Sequence, residues 1–374
     1  MNSLKALILA SIFFYSNISL SSNVDKLILP NGFKATLFAK DIEAPRQMAE
    51  GKKYIFVGGI KGKVYALQKD RVNGNAVLNK IVIVSELNNS RGVALKNGNL
   101  YFSEVDKIWV IKNIEELLDG NKDTELVKKT LFNDDLPSES WHGGKWIMFG
   151  PDGQLYANVG APCNVCLDGI NKNPVYASII KLNDENKWNT VARGVRNSVG
   201  FDWHPQTNKM YFGDNGRDWL GDDSPSCELN ILENENSFFG FPFLHSTNVI
   251  DPEYGDDISK LDEEIVLPVL NIGAHVAPTG VAFYNGDSFP NKYKNTLFMA
   301  LHGSWNRTKK SGYKIIAVQT DKSGNILNVE DFITGWLEGQ NVWGRPSAPL
   351  VLNDGSLLVS DDKYDAIYRI TYEL

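Results

Sequence analysis

Residues 141–166 read WHGGKWIMFGPDGQLYANVGAPCNVC and concentrate reactive side chains that are scarce elsewhere. The chain has five histidines and three cysteines, and this stretch holds His142, Cys163 and Cys166. A histidine titrating near pH 6.5 suits proton abstraction at neutral pH. His142 follows the loop LPSES and stands just ahead of a strand–turn–strand. Two readings are open to it, a general base at the rim of a site and a buried structural histidine. For the cysteines, zinc would need four ligands, and no second CxxC pair exists. A disulfide between Cys163 and Cys166 is the expectation, with zinc or free thiols as alternatives. Cys227 is then unpaired and expected to be buried.

Cations recur at matching places. ARGVRNSVGFDWHP sets Arg193, Arg196 and Asn197 ahead of a strand, as His142 is set ahead of its own. LHGSWNRTKKSGY carries His302 and Arg307, and NVWGRPSAPL carries Arg345. Planar guanidinium groups grip carboxylates in a bidentate fashion. Arg196, Arg307 and Arg345 at equivalent junctions therefore look like a ring around an anionic ligand. GDNGRDWLGDDSPSCELN packs four aspartates and three glycines into one loop. Hard oxygen donors of that kind suit calcium, although the regular spacing of a calcium-binding loop is missing. The acidic run DPEYGDDISKLDEE reads as a solvated insertion.

These residues need a scaffold, and the sequence repeats one. A short strand, a polar turn and a second strand opening on LY or LF recur six times. The copies include YIFVGGIKGKVYALQ, GVALKNGNLYFSEVDKIWVIK, WIMFGPDGQLYANVG and PLVLNDGSLLVSDDKYDAIYRI. Asp-Gly and Asn-Gly between alternating apolar residues mark hairpins. Recurrence every 40 to 50 residues or so, stretched by insertions, predicts a six-bladed β-propeller. FKATLFA near the N-terminus should pair with the last blade and close the ring. KNIEELLDG is the one convincing helical segment, expected as a short surface insertion. In a propeller the long connections at one face of the central channel make the site.

At the N-terminus, Lys5 precedes an apolar run from Ala6 to Tyr15, and small residues follow at Ser19 and Ser21. That is the pattern of a secretory signal peptide spanning residues 1–21. The run is shorter than the roughly 20 residues a membrane anchor needs. Residues 22–374 would then be one propeller domain, periplasmic or secreted. Losing Lys5 takes the formal charge from −7 to −8. An acidic chain without basic tracts argues against nucleic acid or an anionic membrane as partner.

Taken together, HGGKWIMFGPDGQLYANVG, GVRNSVGFDWHP, GDNGRDWLGDDSPSCELNIL, FFGFPF, HGSWNR and GRPSAPLVLNDGSLLVSDDKYDAIYRI resemble the quinoprotein glucose/sorbosone dehydrogenase family. HGSWNR and GAPCNVC resemble its sorbosone-dehydrogenase-like branch. The resemblance covers Trp141 to Ile370 and implies a propeller using pyrroloquinoline quinone (PQQ) and calcium. It implies His142 as the catalytic base, and Arg196, Asn197 and Asn215 beside the quinone. Calcium would lie on the backbone carbonyls of Gly216 and Arg217, with later cofactor contacts near His302, Arg307 and Arg345. The implied substrate is a sugar or related alcohol, with electrons passing to a separate acceptor. The chain departs from the family at Ala161 and Pro162, where glucose-oxidising members carry an aspartate that supports the histidine. His275 in GAHVAP is a candidate neighbour. A calcium-dependent lactone hydrolase and a non-catalytic ligand-binding propeller are the rival readings.

Overall fold

The computed structural model describes residues 23–70, 77–120 and 127–373. The expected signal segment lies outside these residues. The chain forms a six-bladed β-propeller, and each blade has four antiparallel strands running from the channel outward, to which blade 3 adds Ser237–Phe238 as a fifth, parallel strand. The innermost strands are Pro45–Glu50, Val93–Lys96, Ile147–Phe149, Phe201–Trp203, Pro278–Phe283 and Pro346–Val351, leading blades 1 to 6 in turn. Inner strands of successive blades pack around the channel. The six repeated phrases fall on the blades one to one, and in blades 2, 3, 5 and 6 an Asn-Gly or Asp-Gly turn joins the inner strand to its neighbour.

Ring closure follows the expectation. Phe33–Lys40 pairs antiparallel with Ala366–Tyr372, from Phe33 opposite Tyr372 to Lys40 opposite Ala366. It supplies the outer strand of a blade otherwise built from the chain's far end. Phe33 anchors this seam with edge-to-face contacts to Phe289 at 4.8 Å and Phe332 at 5.0 Å. Such aromatic pairs add about 0.5–1.5 kcal/mol beyond burial.

The helix Ile114–Gly120 is not a free surface insertion. Its Ile114 and Leu118 are buried, and Glu115 accepts the backbone N–H groups of Lys53 and Tyr54 at 2.8 and 3.2 Å, tying blade 2 to blade 1. Nor is the acidic run after Ile250 uniformly solvated. Asp251 is buried and pairs with His245 at 2.8 Å and with Arg217. Among the described residues no helix is long and apolar enough to cross a membrane.

Candidate active site

The loops leading into blades 3, 4 and 5, with those after the second strands of blades 4 and 5, enclose a cleft of about 180 Å³ that His142, Arg196, Asn197, Asn215 and Gly216 line together. Four of the residues expected from sequence thus meet with the glycine of the expected metal loop. His142 sits in the turn before blade 3 with a left-handed backbone, φ 51°. Histidine tolerates this region better than most residues, and strain of this kind clusters at functional sites. Gly160 packs under it, since a Cβ there would lie 2.5 Å from the His142 Cβ.

The support for the histidine is a backbone group. His142 Nδ1 lies 2.9 Å from the Ala161 carbonyl. A carbonyl only accepts, so Nδ1 carries the proton and Nε2 keeps its lone pair. The ring is thus held by a main-chain carbonyl at the position where the resemblance leads one to expect an aspartate. His275 lines the same cleft, but its Nε2 is engaged by the Gly221 carbonyl at 2.7 Å.

Segment 161–166 carries the arginine as well. The Ala161 N–H donates to the Arg196 carbonyl at 2.8 Å. Cys163 and Cys166 form the expected disulfide, their α-carbons 6.1 Å apart, and the small loop presents Asn164. Arg196 donates Nε to the Asn164 carbonyl and Nη2 to its side-chain oxygen, both at 2.8 Å. A further Nη2 bond reaches Asp218 at 3.1 Å, and Nη1 reaches the Asn215 carbonyl at 3.1 Å. Asp214 accepts the Arg196 and Asn197 backbone N–H groups on its two oxygens at 2.8 and 2.7 Å. Asn215 bridges the carbonyls of Asn197 and Pro278, both at 2.9 Å.

A second group of charges lies toward blades 5, 6 and 1. Arg46 pairs with Asp362 at 2.5 Å, and His302 Nε2 meets the other Asp362 oxygen at 2.8 Å. Arg345 donates to the carbonyls of His302 and Gly303 and lies over the Tyr313 ring. Burial alone would raise the Asp362 pKa, but Arg46 and His302 hold it well below the usual carboxylate range. Burial lowers His302 to about 4 against the pull of Asp362.

Below these groups the channel narrows to a neck lined by one equivalent residue per blade: Arg46, Arg91, Lys145, Val199, Thr279 and Ser347. Arg91 packs on Gly144, where a Cβ would lie 2.4 Å from its Nε. Its Nε donates to Asn89 at 2.7 Å, and among the described residues it has no carboxylate partner. Burial, then repulsion from Arg46, lowers Arg91 to about 9. Burial and Arg91 lower Lys145 to about 7.

Not every expected residue reaches the cleft. Arg307 donates to the carbonyls of Asp222 and Lys309 at 2.8 Å and pairs with Asp223, away from the lining. The Arg217 side chain turns into the buried Asp251 and toward Glu253. Cys227 is free and buried at the cleft wall. Among the described residues no three His, Cys, Asp or Glu side chains cluster to hold a metal. Sequence reading missed Arg46, Arg91, Asn164, Asp218 and Asp362. The first two were findable, because RQM and RGV lead blades 1 and 2 in the register that KWI holds in blade 3.

Burial, then Arg196, lowers His142 to about 3. Between that value and the ordinary 6.5 the unfolded chain binds a proton that the folded chain does not. The resulting cost to stability is absent above pH 6.5 and grows by up to about 1.4 kcal/mol per unit as pH falls. We expect His142→Gln to narrow the gap between melting temperatures at pH 7 and pH 4.5. A gap as wide as in the parent protein would show that His142 titrates normally.

Comparison with known proteins identifies the family. The TrAA12-like pattern matches residues 27–331. The chain belongs to the TrAA12-like family. An uncharacterized protein of Borreliella burgdorferi is 33% identical over 378 residues, covering 98% of this chain and 97% of the relative. Among solved structures, the Trichoderma reesei carbohydrate-active enzyme of family AA12 superposes with a TM-score of 0.79 at 17% identity, covering 93% of this chain and 98% of the other. The PQQ domain of Coprinopsis cinerea pyranose dehydrogenase, in its holo form, gives 0.74 at 18% identity over 92% and 97%. The soluble aldose sugar dehydrogenase of Escherichia coli gives 0.62 at 16% over 91% and 100%. At these identities the superpositions carry the TrAA12-like fold and nothing finer.

Proposed function

We propose that this protein is a PQQ-dependent sugar oxidoreductase, exported by its N-terminal segment, in which His142 acts as the base. One observation carries the reading. A histidine with Nδ1 fixed and Nε2 free lines a cleft beside an excess of cationic charge. Arg196 lines the cleft, Arg345 lies beside His302, and Arg46 and Arg91 line the neck, while the carboxylates ion-paired to them are Asp362 and Asp218. Arg91 lacks a carboxylate partner among the described residues, and the buried Arg46 Nε has no hydrogen-bond partner. A ligand bearing several carboxylates, as PQQ does, fits that imbalance.

Arg46, Arg91 and Arg345 would hold its carboxylates. Arg196, already satisfied by Asn164 and Asp218, would act as a fixed positive wall with Asn197 and Asn215 beside it. Calcium would draw on the carbonyls of Gly216 and Arg217 and on oxygens of the ligand, since the described side chains supply no cluster of their own. When bound, PQQ supplies an electrophilic ortho-quinone that accepts hydride. His142 Nε2 takes the hydroxyl proton of the substrate, and the neighbouring arginines offset anionic charge that develops there. The names of the pyranose and aldose sugar dehydrogenases support a sugar as substrate. The disulfide is consistent with an oxidising compartment.

Purified protein given PQQ and calcium is expected to shift the quinone absorbance and to reduce a dye in the presence of a sugar. A chelator should abolish both. Tight calcium binding without PQQ binding would instead favour the lactone hydrolase. That reading asks for carboxylates and asparagines at the channel centre, where this chain has Arg46, Arg91 and Lys145. PQQ binding without oxidation of any sugar would favour a binding protein.

A further inference from the structure

Of nine tryptophans, six are buried or half-buried, and Trp109, Trp146, Trp188 and Trp343 donate their indole N–H within the protein. The other three, Trp141, Trp219 and Trp305, are 52%, 68% and 63% exposed. No other aromatic side chain among the described residues is exposed to this degree. All three stand at one mouth of the channel. Trp141 precedes His142, their rings 5.6 Å apart. Trp305 lines the cleft, and Trp219 meets it edge-to-face at 5.5 Å.

The pair is built rather than loose. Asn306 donates to Asp218, Arg307 donates to the Asp222 carbonyl, and the Thr308 N–H donates to the Asp222 side chain. These bonds join the loop of Trp219 to the loop of Trp305. Trp219 itself holds φ 72°, a conformation that is rare and costly for a bulky residue. Strain and exposed indole surface coincide next to the candidate base, where a ligand would offset both.

The occupant follows from the surface chemistry. Two perpendicular indole faces stand among Asp218, Asp222, Asn306 and Arg307, so apolar and polar groups alternate over short distances. A protein interface core would be more continuous and depleted in charge. A pyranose matches the alternation, with an apolar C–H face and a hydroxyl-bearing edge. We propose that Trp141, Trp219 and Trp305 form a carbohydrate-stacking rim that holds the units next to the one in the cleft, so that the substrate is the end of an oligosaccharide. The fate of that end unit rests on the sugar-oxidation reading, whereas binding at the rim does not require the cofactor.

The test uses the full chain without added cofactor, with indole N–H signals followed by NMR. Glucose, xylose, N-acetylglucosamine and mannose are compared with the corresponding linear β-hexaoses. The expected result is that at least one hexaose shifts the three indole signals and binds at least about tenfold more tightly than its monosaccharide. Trp219→Ala should remove most of that gain, a loss of about 1.4 kcal/mol or more. Indoles unmoved by every hexaose, or equal affinity for monomer and hexaose, overturn the proposal. Shifts that depend on protein concentration and not on sugar also overturn it, assigning the rim to a second copy of the chain. A PQQ titration on the same sample separates the two readings. PQQ binding without hexaose binding removes the rim alone, and the reverse removes the quinoprotein reading and keeps the rim.

Discussion

Replacing His142 with alanine is expected to lower turnover by roughly 10²–10⁴-fold, the usual worth of a positioned base, while PQQ affinity changes only a few-fold. The reason is geometric. Nδ1 is fixed by the Ala161 carbonyl, which leaves Nε2 as an acceptor in the cleft. The other nearby histidines are differently committed, His275 to the Gly221 carbonyl and His302 to Asp362. His142, lowered to about 3 by burial and Arg196, stays unprotonated at ordinary pH. The acid limb of kcat/KM should therefore fall well below pH 6.5 in the free enzyme. Full turnover in His142→Ala, with activity lost in His275→Ala or His302→Ala, would move the base elsewhere without disturbing the family assignment.

The second large effect is on stability. Asp362→Ala is expected to cost about 3–5 kcal/mol, because it strands Arg46 and His302 in a buried site. The three residues come from blade 1, blade 6 and the loop leaving the second strand of blade 5, so the carboxylate binds the two sides of the closing seam. Denaturant unfolding would read the loss as a lower midpoint. The double variant Arg46→Met with Asp362→Ala should recover much of it, since removing both charges leaves no uncompensated ion. A loss below about 1 kcal/mol in the single variant would mean that water reaches Arg46 and the pair behaves as a surface one.

The architecture was legible because hairpin turns carry chemical signatures. Asn-Gly or Asp-Gly between apolar runs announced four of the blades, the repeated strand phrase announced the other two, and FKATLFA announced the closing strand. His142, Arg196, Asn197 and Asn215 were legible through motifs lying in three separate loops. Other parts left no trace of that kind. The Ala161 carbonyl supports His142 with a backbone atom that any residue would supply. Arg46 and Arg91 carry only the register that RQM and RGV share with KWI, and they converge only when the ring forms. Asp362 looks like an ordinary turn residue in SDDKY. Arg307 shows the opposite failure, because a cation at a blade junction does not reveal which way its loop folds. Asp222 and Asp223 lie close enough to take it. The acidic run containing Asp251 misleads in the same way, since composition cannot say that one carboxylate among many turns inward to Arg217.

The pairing of Phe33–Lys40 with Ala366–Tyr372 has a bearing on how the molecule is made. The two strands lie far apart in sequence, so their pairing closes a very long loop. Until then blade 6 has no outer strand, and Phe33 cannot reach its seat against Phe289 and Phe332. Pairing between such distant segments is intrinsically slow, and unpaired strand edges invite association with other chains in the interval. Closure of the ring thus rests on the most distant contact in the fold, and blade 6 keeps an open edge until that contact forms.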